Sequence, residues 1–281
     1  MKDLTIVIPF YNEEGALKII QEKIDYKFRD ATKIFINDGS TDNSIKKLIK
    51  KKKTKIISNN SNSGYGFSLK RGMLLSKTKY VAWFDADNEH KIEDLMKMYK
   101  KIKKEDLDAV IGTRINLRPS LVNNLGKRII RIFALILGFN LPFDFNCGLR
   151  IFKREKVIVF NHLLSNKFSA STSSIIFLIF YKMNYDYLSI ITSKRIGQTK
   201  VKIIDGFKTM FTIFKLSLIL GIKKYLFLSG VLILIFGAYY SWNIFLKGEG
   251  LSSGSILILL LGFLTTLFSY FFIYQDFLKL K

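Results

Sequence analysis

Short apolar runs alternate with amphipathic segments along the N-terminal two thirds of the chain. "LTIVIPF" (4–10), "KIFIND" (33–38), "TKIIS" (54–58), "YVAWFDAD" (80–87) and "DAVIGT" (108–113) are rich in β-branched and aromatic residues and predict strands. Between them fall helical patterns, clearest where Ile92, Leu95, Met96, Tyr99 and Ile102 recur at helical spacing with lysines on the opposite face. Strands alternating with helices predict an α/β fold with a doubly wound, mostly parallel sheet, in which ligands bind beyond the carboxyl ends of the strands. The C-terminal pattern is different. Tyr225–Leu246 and Ser255–Tyr274 carry no charge, and each has about the 20 residues that cross a hydrocarbon core. They predict transmembrane helices, the alternative being a buried helical hairpin. Two further stretches, Leu125–Phe139 and Gly206–Gly221, are apolar but interrupted by cations and too short to span. Both suit helices lying at a membrane surface, with packing inside the soluble core as the alternative. The resulting layout is a catalytic-type domain over 1–205, a juxtamembrane amphipathic helix over 206–222 and a two-helix membrane region over 223–281.

Charge sharpens this picture. Of 281 residues, 45 are Lys or Arg and 22 are Asp or Glu, a net charge of +23. Such a chain is drawn to anions: nucleic acid, a lipid surface or phosphorylated substrates. The absence of any recognised nucleic-acid module sets the first aside. The lysine run Lys46–Lys55 reads as a solvated helix face, or as a surface attracted to anionic lipid. With a single cysteine, Cys147, no disulfide framework is available, and the N-terminal run reads as a strand without the cleavage site of a signal peptide. "KGEGLSSG" between the apolar stretches carries one charge of each sign, whereas Lys223, Lys224, Lys279 and Lys281 flank their outer ends. By the positive-inside rule the large domain and both termini face the cytoplasm.

The candidate chemistry sits on one rim of the sheet. "PFYNEE" follows the first strand, "NDGSTDNS" the second and "DADNE" the fourth. Carboxylates crowded at a strand end repel one another unless a cation sits among them. Asp85, Asp87 and Glu89 are therefore candidate ligands of Mg²⁺ or Mn²⁺ bridging a diphosphate. Asp38 either accepts a hydrogen bond from a nucleobase or ribose, or ties up backbone N–H groups at a helix start. The glycines of "NSGYGFSLKRGM" (62–73) either admit a phosphate or shape a turn.

In order and spacing, "IVIPFYNEE", "INDGSTDNS", "NSGYGFSLKRGM", "WFDADNE", "GTR", "DFNCGLRIFKRE" and "RIGQTK" resemble the family 2 glycosyltransferases of the GT-A fold. The likeness, over residues 3–202, is nearest to their polyprenyl-phosphate glycosyltransferase group. The resemblance implies that Pro9, Tyr11, Glu13, Ile36 and Asp38 hold a nucleoside, and that Asp85, Ala86, Asp87 and Glu89 form the diphosphate and metal segment. Glu89 stands where relatives usually carry Gln. Arg114, Arg128 and Arg195, with Arg131 and Lys200, match cations gathered around a lipid phosphate, whose oxygens guanidinium forks neutralise and orient. In many relatives an acidic residue occurs in the segment matching "KFSASTSSIIF" (167–177), where this chain has Ser171, Ser173 and Ser174. A sugar hydroxyl needs a general base to become a nucleophile, whereas a phosphate monoester is already anionic near neutral pH. The serines thus favour a phosphate acceptor. A further departure, Leu188 in place of a common proline near Asp186, suggests no chemical role. The resemblance implies inverting transfer of a hexose from a UDP- or GDP-sugar to polyprenyl phosphate, and it allows a homotetramer. Transfer to a lipid-linked or polymeric glycan, and a non-catalytic membrane-bound sugar-nucleotide or lipid-binding scaffold, are the alternatives.

Overall fold

The computed structural model describes residues 1–281 apart from 117–120, 194–195, 197–202, 249, 251 and 280–281, and gives backbone alone at 121–123, 203, 222–224 and 272–279. The chain divides into two compact units, Met1–Phe214 and Lys215–Lys281.

In the first unit a seven-stranded sheet has the order β3-β2-β1-β4-β6-β5-β7. Strands β1 (Leu4–Phe10), β2 (Thr32–Asn37), β3 (Thr54–Ser58), β4 (Tyr80–Trp83) and β5 (Ala109–Arg114) coincide with the apolar runs of the sequence. Every residue of β1 is buried. This continuous apolar run suits a central strand covered on both faces, and β1 indeed lies parallel between β2 and β4. The core cluster is completed by α1 (Glu14–Lys27), through Leu17, Ile20 and Ile24, and by α3 (Ile92–Lys104). On α3 the buried apolar set is Ile92, Leu95, Met98, Tyr99 and Ile102, with Met96 only partly buried. Helix α2 (Tyr65–Leu75) links β3 to β4.

Two strands have no counterpart in the sequence reading. β6 (Arg150–Lys153) runs antiparallel between β4 and β5, with Ile151 partnered by both Ala82 and Val110. β7 (Tyr185–Ile190) adds parallel to β5 at the sheet edge. Because β6 is reversed, it begins at the rim where β4 and β5 end. The lysine run also departs from expectation. Only Ser44–Lys47 forms a single 3₁₀ turn. Beyond it the Gln21 side chain brackets Ile49, donating to its carbonyl at 2.5 Å and accepting its N–H at 2.8 Å, which holds that backbone in place of helical bonds. The lysines remain solvent-facing, but not on a helix.

Helix α4 (Leu121–Ile136) follows β5, and the short α5 (Arg154–Ile158) and α6 (Ala170–Phe180) follow β6. α7 (Ile203–Leu246) is continuous, and the two compact units divide within it, whereas the sequence suggested boundaries at 205 and 222. In the second unit, Tyr225–Leu246 of α7 and Ser253–Phe271 of α8 (Ser253–Lys279) are apolar for 22 and 19 residues, bilayer-spanning lengths that suggest membrane association. They pack closely. A Cβ added at Gly230 would meet the Thr266 backbone N at 2.7 Å, and one at Gly262 the Leu234 N at 2.8 Å, so small residues set the helix separation.

Candidate active site

The carboxyl ends of β1, β2, β4 and β5 and the start of β6 meet at one rim. Its first wall joins the loops after β1 and β2. Pro9 and Ile36 are register partners and both are buried, an apolar step at the ends of the two strands. Ser40 Oγ accepts the Asn12 N–H at 3.0 Å, Ser44 Oγ accepts the Glu13 N–H at 2.8 Å, and Asn12 Oδ1 accepts the Thr41 N–H at 2.9 Å. These bonds tie the two loops together. Asn12 takes a left-handed backbone with φ of 51°, a conformation asparagine tolerates better than most residues.

Asp38 takes the loop-organising role that the sequence left open. Its Oδ1 accepts from Asn59 Nδ2 at 2.7 Å and from the Ser63 N–H at 3.0 Å, while Oδ2 accepts the Gly64 N–H at 2.8 Å. Gly64 has φ of 114° and precedes α2, so the aspartate pins a turn that a side-chain-bearing residue resists. Of the glycines of 62–73, Gly64 shapes this turn, whereas Gly66 and Gly72 lie in α2 and allow close packing against Ser165 and Val7.

The stretch after β4 forms the centre. Tyr65 donates its hydroxyl to Asp85 Oδ1 at 2.7 Å, and His90 Nε2 lies 3.3 Å from Asp85 Oδ2. A Cβ on Gly148 would fall 2.1 Å from Asp85 Oδ2, so the carboxylate rests on bare backbone. Burial opposes charge on Asp85, yet the His90 hydrogen bond and charge, with help from Tyr65 and Arg114, hold its carboxyl below the usual range. Burial likewise opposes charge on His90, and Asp85 outweighs it, raising the imidazole. The same surroundings, burial first and then Asp85, push the Tyr65 phenol well above its ordinary value, so it stays a donor. Asp87 is buried, and its Oδ1 accepts the Glu89 N–H at 3.0 Å. Ala86 between them is buried.

Glu89 turns to Arg114 Nη1, 3.4 Å away. Arg114 is held chiefly by Asp144, whose carboxylate accepts its backbone N–H at 3.0 Å, Nε at 2.9 Å and Nη2 at 2.7 Å. Lys127 of α4 lies 3.4 Å from the same carboxylate. Burial alone would favour neutral forms, but the paired charges prevail, lowering the Asp144 carboxyl and raising the Arg114 guanidinium. A chain of charges thus links α4 to the loop after β4.

The expected three-carboxylate metal shell is not assembled. Among the described residues no three His, Cys, Asp or Glu side chains converge as a metal-holding group. Mutual repulsion is relieved instead by His90 and Tyr65 on Asp85 and by Arg114 on Glu89. Asp85 and Asp87 remain as alternate carboxylates at one strand end, the donor type a Mg²⁺-like ion takes. Such an ion takes one or two protein carboxylates and draws its remaining ligands from substrate phosphates and water.

Of the predicted acceptor cations, Arg128 is exposed on α4, and Arg131 donates Nε to Leu141 O at 3.1 Å while lying 6.0 Å from the Phe143 ring. Arg195 and Lys200 lie outside the described residues. Leu125, Ile129, Ile132 and Ile136 form an outward apolar stripe on α4, 48–76% exposed, so this face of the helix is not packed into the core. Ser171, Ser173 and Ser174 are buried in α6 and serve the scaffold: Ser173 Oγ donates to Ser169 O at 3.0 Å, and Ser174 Oγ accepts from Arg150 at 2.7 Å. Tyr65, His90, Asp144 and Arg150 were not singled out from the sequence. Tyr65, Asp144 and Arg150 lie within quoted motifs and His90 directly follows one, and the signal that could have found Asp144 and Arg150 was polar charge inside the apolar "FDFNCGLRIF".

The model of the family described as glycosyl transferase family 2 matches residues 5–159. An uncharacterised protein of Methanocaldococcus jannaschii is 30% identical over 53% of this chain and 71% of its own length. The dolichyl-phosphate beta-glucosyltransferase of Dictyostelium discoideum is 32% identical over 54% of each chain, so the match spans about half of that relative. Among solved structures, glucosyl-3-phosphoglycerate synthase from Mycobacterium tuberculosis, in complex with Mn²⁺, uridine diphosphate and phosphoglyceric acid, superposes with a TM-score of 0.57 at 15% identity. It covers 77% of this chain and 78% of that one, a likeness of fold.

Proposed function

Because this chain belongs to glycosyl transferase family 2, we propose that it transfers a hexose, with inversion, from a UDP- or GDP-sugar to polyprenyl phosphate. The observation that carries this reading is the meeting, in one unit, of the Asp85–Asp87 rim with α4. That helix presents an apolar stripe and the exposed cation Arg128 toward the outside, with the half-buried Arg131 beside them. The relative named as a dolichyl-phosphate beta-glucosyltransferase supports the same acceptor class.

The nucleoside would lie on the Pro9–Ile36 step, beside Tyr11, Glu13 and the loop pinned by Asp38. Asp85 and Asp87 would hold Mg²⁺ or Mn²⁺, which when bound neutralises charge on the diphosphate. Arg128 and Arg131, with Arg195 and Lys200, would receive the lipid phosphate. Arg114 contributes through Glu89 and Asp144, since its fork is already engaged by carboxylates. The phosphate oxygen attacks the anomeric carbon, forming the new C–O bond on the face opposite the breaking one, and the bonding pair leaves with the diphosphate. No proton need be removed from an ionised phosphate, consistent with the serines of α6. By the lysine bias around the two apolar helices, the reaction takes place on the cytoplasmic face.

The test is incubation of the purified full-length protein with a panel of nucleotide sugars and a short polyprenyl phosphate, with products identified by mass. Asp87→Ala should abolish the glycosylated lipid phosphate while leaving the fold intact. Near-normal turnover by the folded variant, or product only on a glycan acceptor, would overturn the reading.

A further inference from the structure

Arg150 is entirely buried, at 0% exposure, at the start of β6. Its Nε donates to Cys147 O at 2.8 Å, Nη1 to Ser171 O at 2.6 Å and to Ser174 Oγ at 2.7 Å, and Nη2 to Phe145 O at 2.8 Å. Its partners are therefore three carbonyls and a hydroxyl. Among the described residues no carboxylate lies within ion-pair distance of it. Asp144, in the adjoining turn, is engaged by Arg114 and Lys127. Burial depresses the guanidinium to about 10, so it is charged at neutral pH. An unpaired buried cation is strongly unfavourable for folding, and a neutral side chain, or an acid in place of Ser174, would relieve it.

Its position suggests why the charge is retained. Arg150 is the register partner of Trp83 on β4, and Asp85 and Asp87 follow directly at the end of that strand. Through Cys147 it also fixes the backbone leading to Gly148, on which the Asp85 carboxylate rests. We propose that Arg150 is a positioning residue left without a counter-ion, so that its fixed charge offsets the negative charge of a nucleoside diphosphate held at Asp85 and Asp87. The inference rests on the proposed donor site. A preorganised charge in a water-excluded interior acts more strongly than one in solvent, and favours most the state in which the departing diphosphate carries most charge.

A purely mechanical clamp would hold the same turn but exert no such field, and four variants separate the two. Binding of UDP, and of GDP in parallel, with Mg²⁺ would be measured by calorimetry on the full chain in detergent, alongside thermal unfolding. Arg150→Met should weaken binding about tenfold, the scale of one charge acting through a partly screened protein medium. Arg150→Lys keeps the charge and should stay within about threefold of wild type. Ser174→Asp supplies a counter-ion and should also weaken binding about tenfold with unfolding temperature unchanged or raised, whereas the similarly sized, neutral Ser174→Asn should bind as wild type. The loss should persist at ~1 M salt, where surface cations are screened. Equal losses in Arg150→Met and Arg150→Lys, or wild-type affinity in Ser174→Asp, would overturn the inference. If Arg150→Met fails to fold, the Asp and Asn pair at 174 decides. Failure of the wild type to bind either nucleotide overturns the donor-site reading itself, and this inference with it.

Discussion

Replacing Asp144 by Asn isolates the charge that joins α4 to the sheet rim. The side chain is 1% exposed, and its two oxygens accept the Arg114 backbone N–H, Nε and Nη2, with Lys127 at 3.4 Å. Asparagine keeps one acceptor oxygen but sets an NH₂ against an Arg114 donor. One charge-assisted bond is thus lost outright, and such bonds contribute about 1.5–3 kcal/mol. The remaining bonds weaken with loss of the negative charge. Breaking a buried pair from one side costs about 3–5 kcal/mol, but Arg114 keeps Glu89 and Asn146 as partners. The expected destabilisation is therefore about 3 kcal/mol, or roughly 6–12 °C in the unfolding temperature of a domain of this size. Emission from the buried Trp83 during thermal unfolding would report it. A pH dependence adds a signature. Because the folded Asp144 carboxyl lies below its unfolded value, its stabilisation is fully present above about pH 4 and is lost as pH falls through the folded pKa. Asp144→Asn should lack that part of the acid loss. A shift below ~2 °C, or an acid limb identical to wild type, would refute the reasoning.

Other outcomes follow from the same geometry. In Gly148→Ala the new Cβ would meet Asp85 Oδ2 at 2.1 Å, so Mg²⁺-dependent binding of UDP or GDP should fall by about tenfold or more, the equivalent of ~1.4 kcal/mol; wild-type affinity in calorimetry would contradict this. Tyr65→Phe removes the donor to Asp85 and should lower turnover by about tenfold, for a hydrogen bond to a charged group of ~1.5 kcal/mol, with the unfolding temperature little changed. Arg128→Ala removes an exposed cation of α4 and should raise the KM for polyprenyl phosphate more than it lowers kcat, as read from rate against acceptor concentration; an unchanged KM would exclude that contact.

Strands β1 to β5 were legible because each is a run of apolar, β-branched residues that no helix would present so continuously. β6 was not, since four residues with Arg150 and Lys153 at its ends resemble a polar loop, and only its pairing with β4 and β5 makes a buried guanidinium tolerable. β7 is a partly exposed edge strand whose apolar residues are interrupted by Asp186 and Ser189. The lysine run misled for another reason: its cations suit a helix face, but the polar crossing from β2 to β3 is held by Gln21 of α1 and, through its own Ser40 and Ser44, by the loop after β1. At the rim, motif spacing brought Asp85 and Asp87 together. It did not show that Asp38 would be fully engaged by Asn59, Ser63 and Gly64, or that Glu89 would face Arg114. Side-chain partners drawn from distant segments are set by packing, which a linear pattern does not display.

The reversed strand β6 has a modular consequence. The excursion carrying α4 leaves the sheet at Arg114 and re-enters at Arg150 on the same edge, and Asp144 fastens its two feet together through Arg114. A segment anchored in this way behaves as a cassette: its length and its greasy outer surface can diverge without disturbing the strands beneath. Exchanging that cassette between relatives would then be a route to new acceptors on an unaltered donor platform.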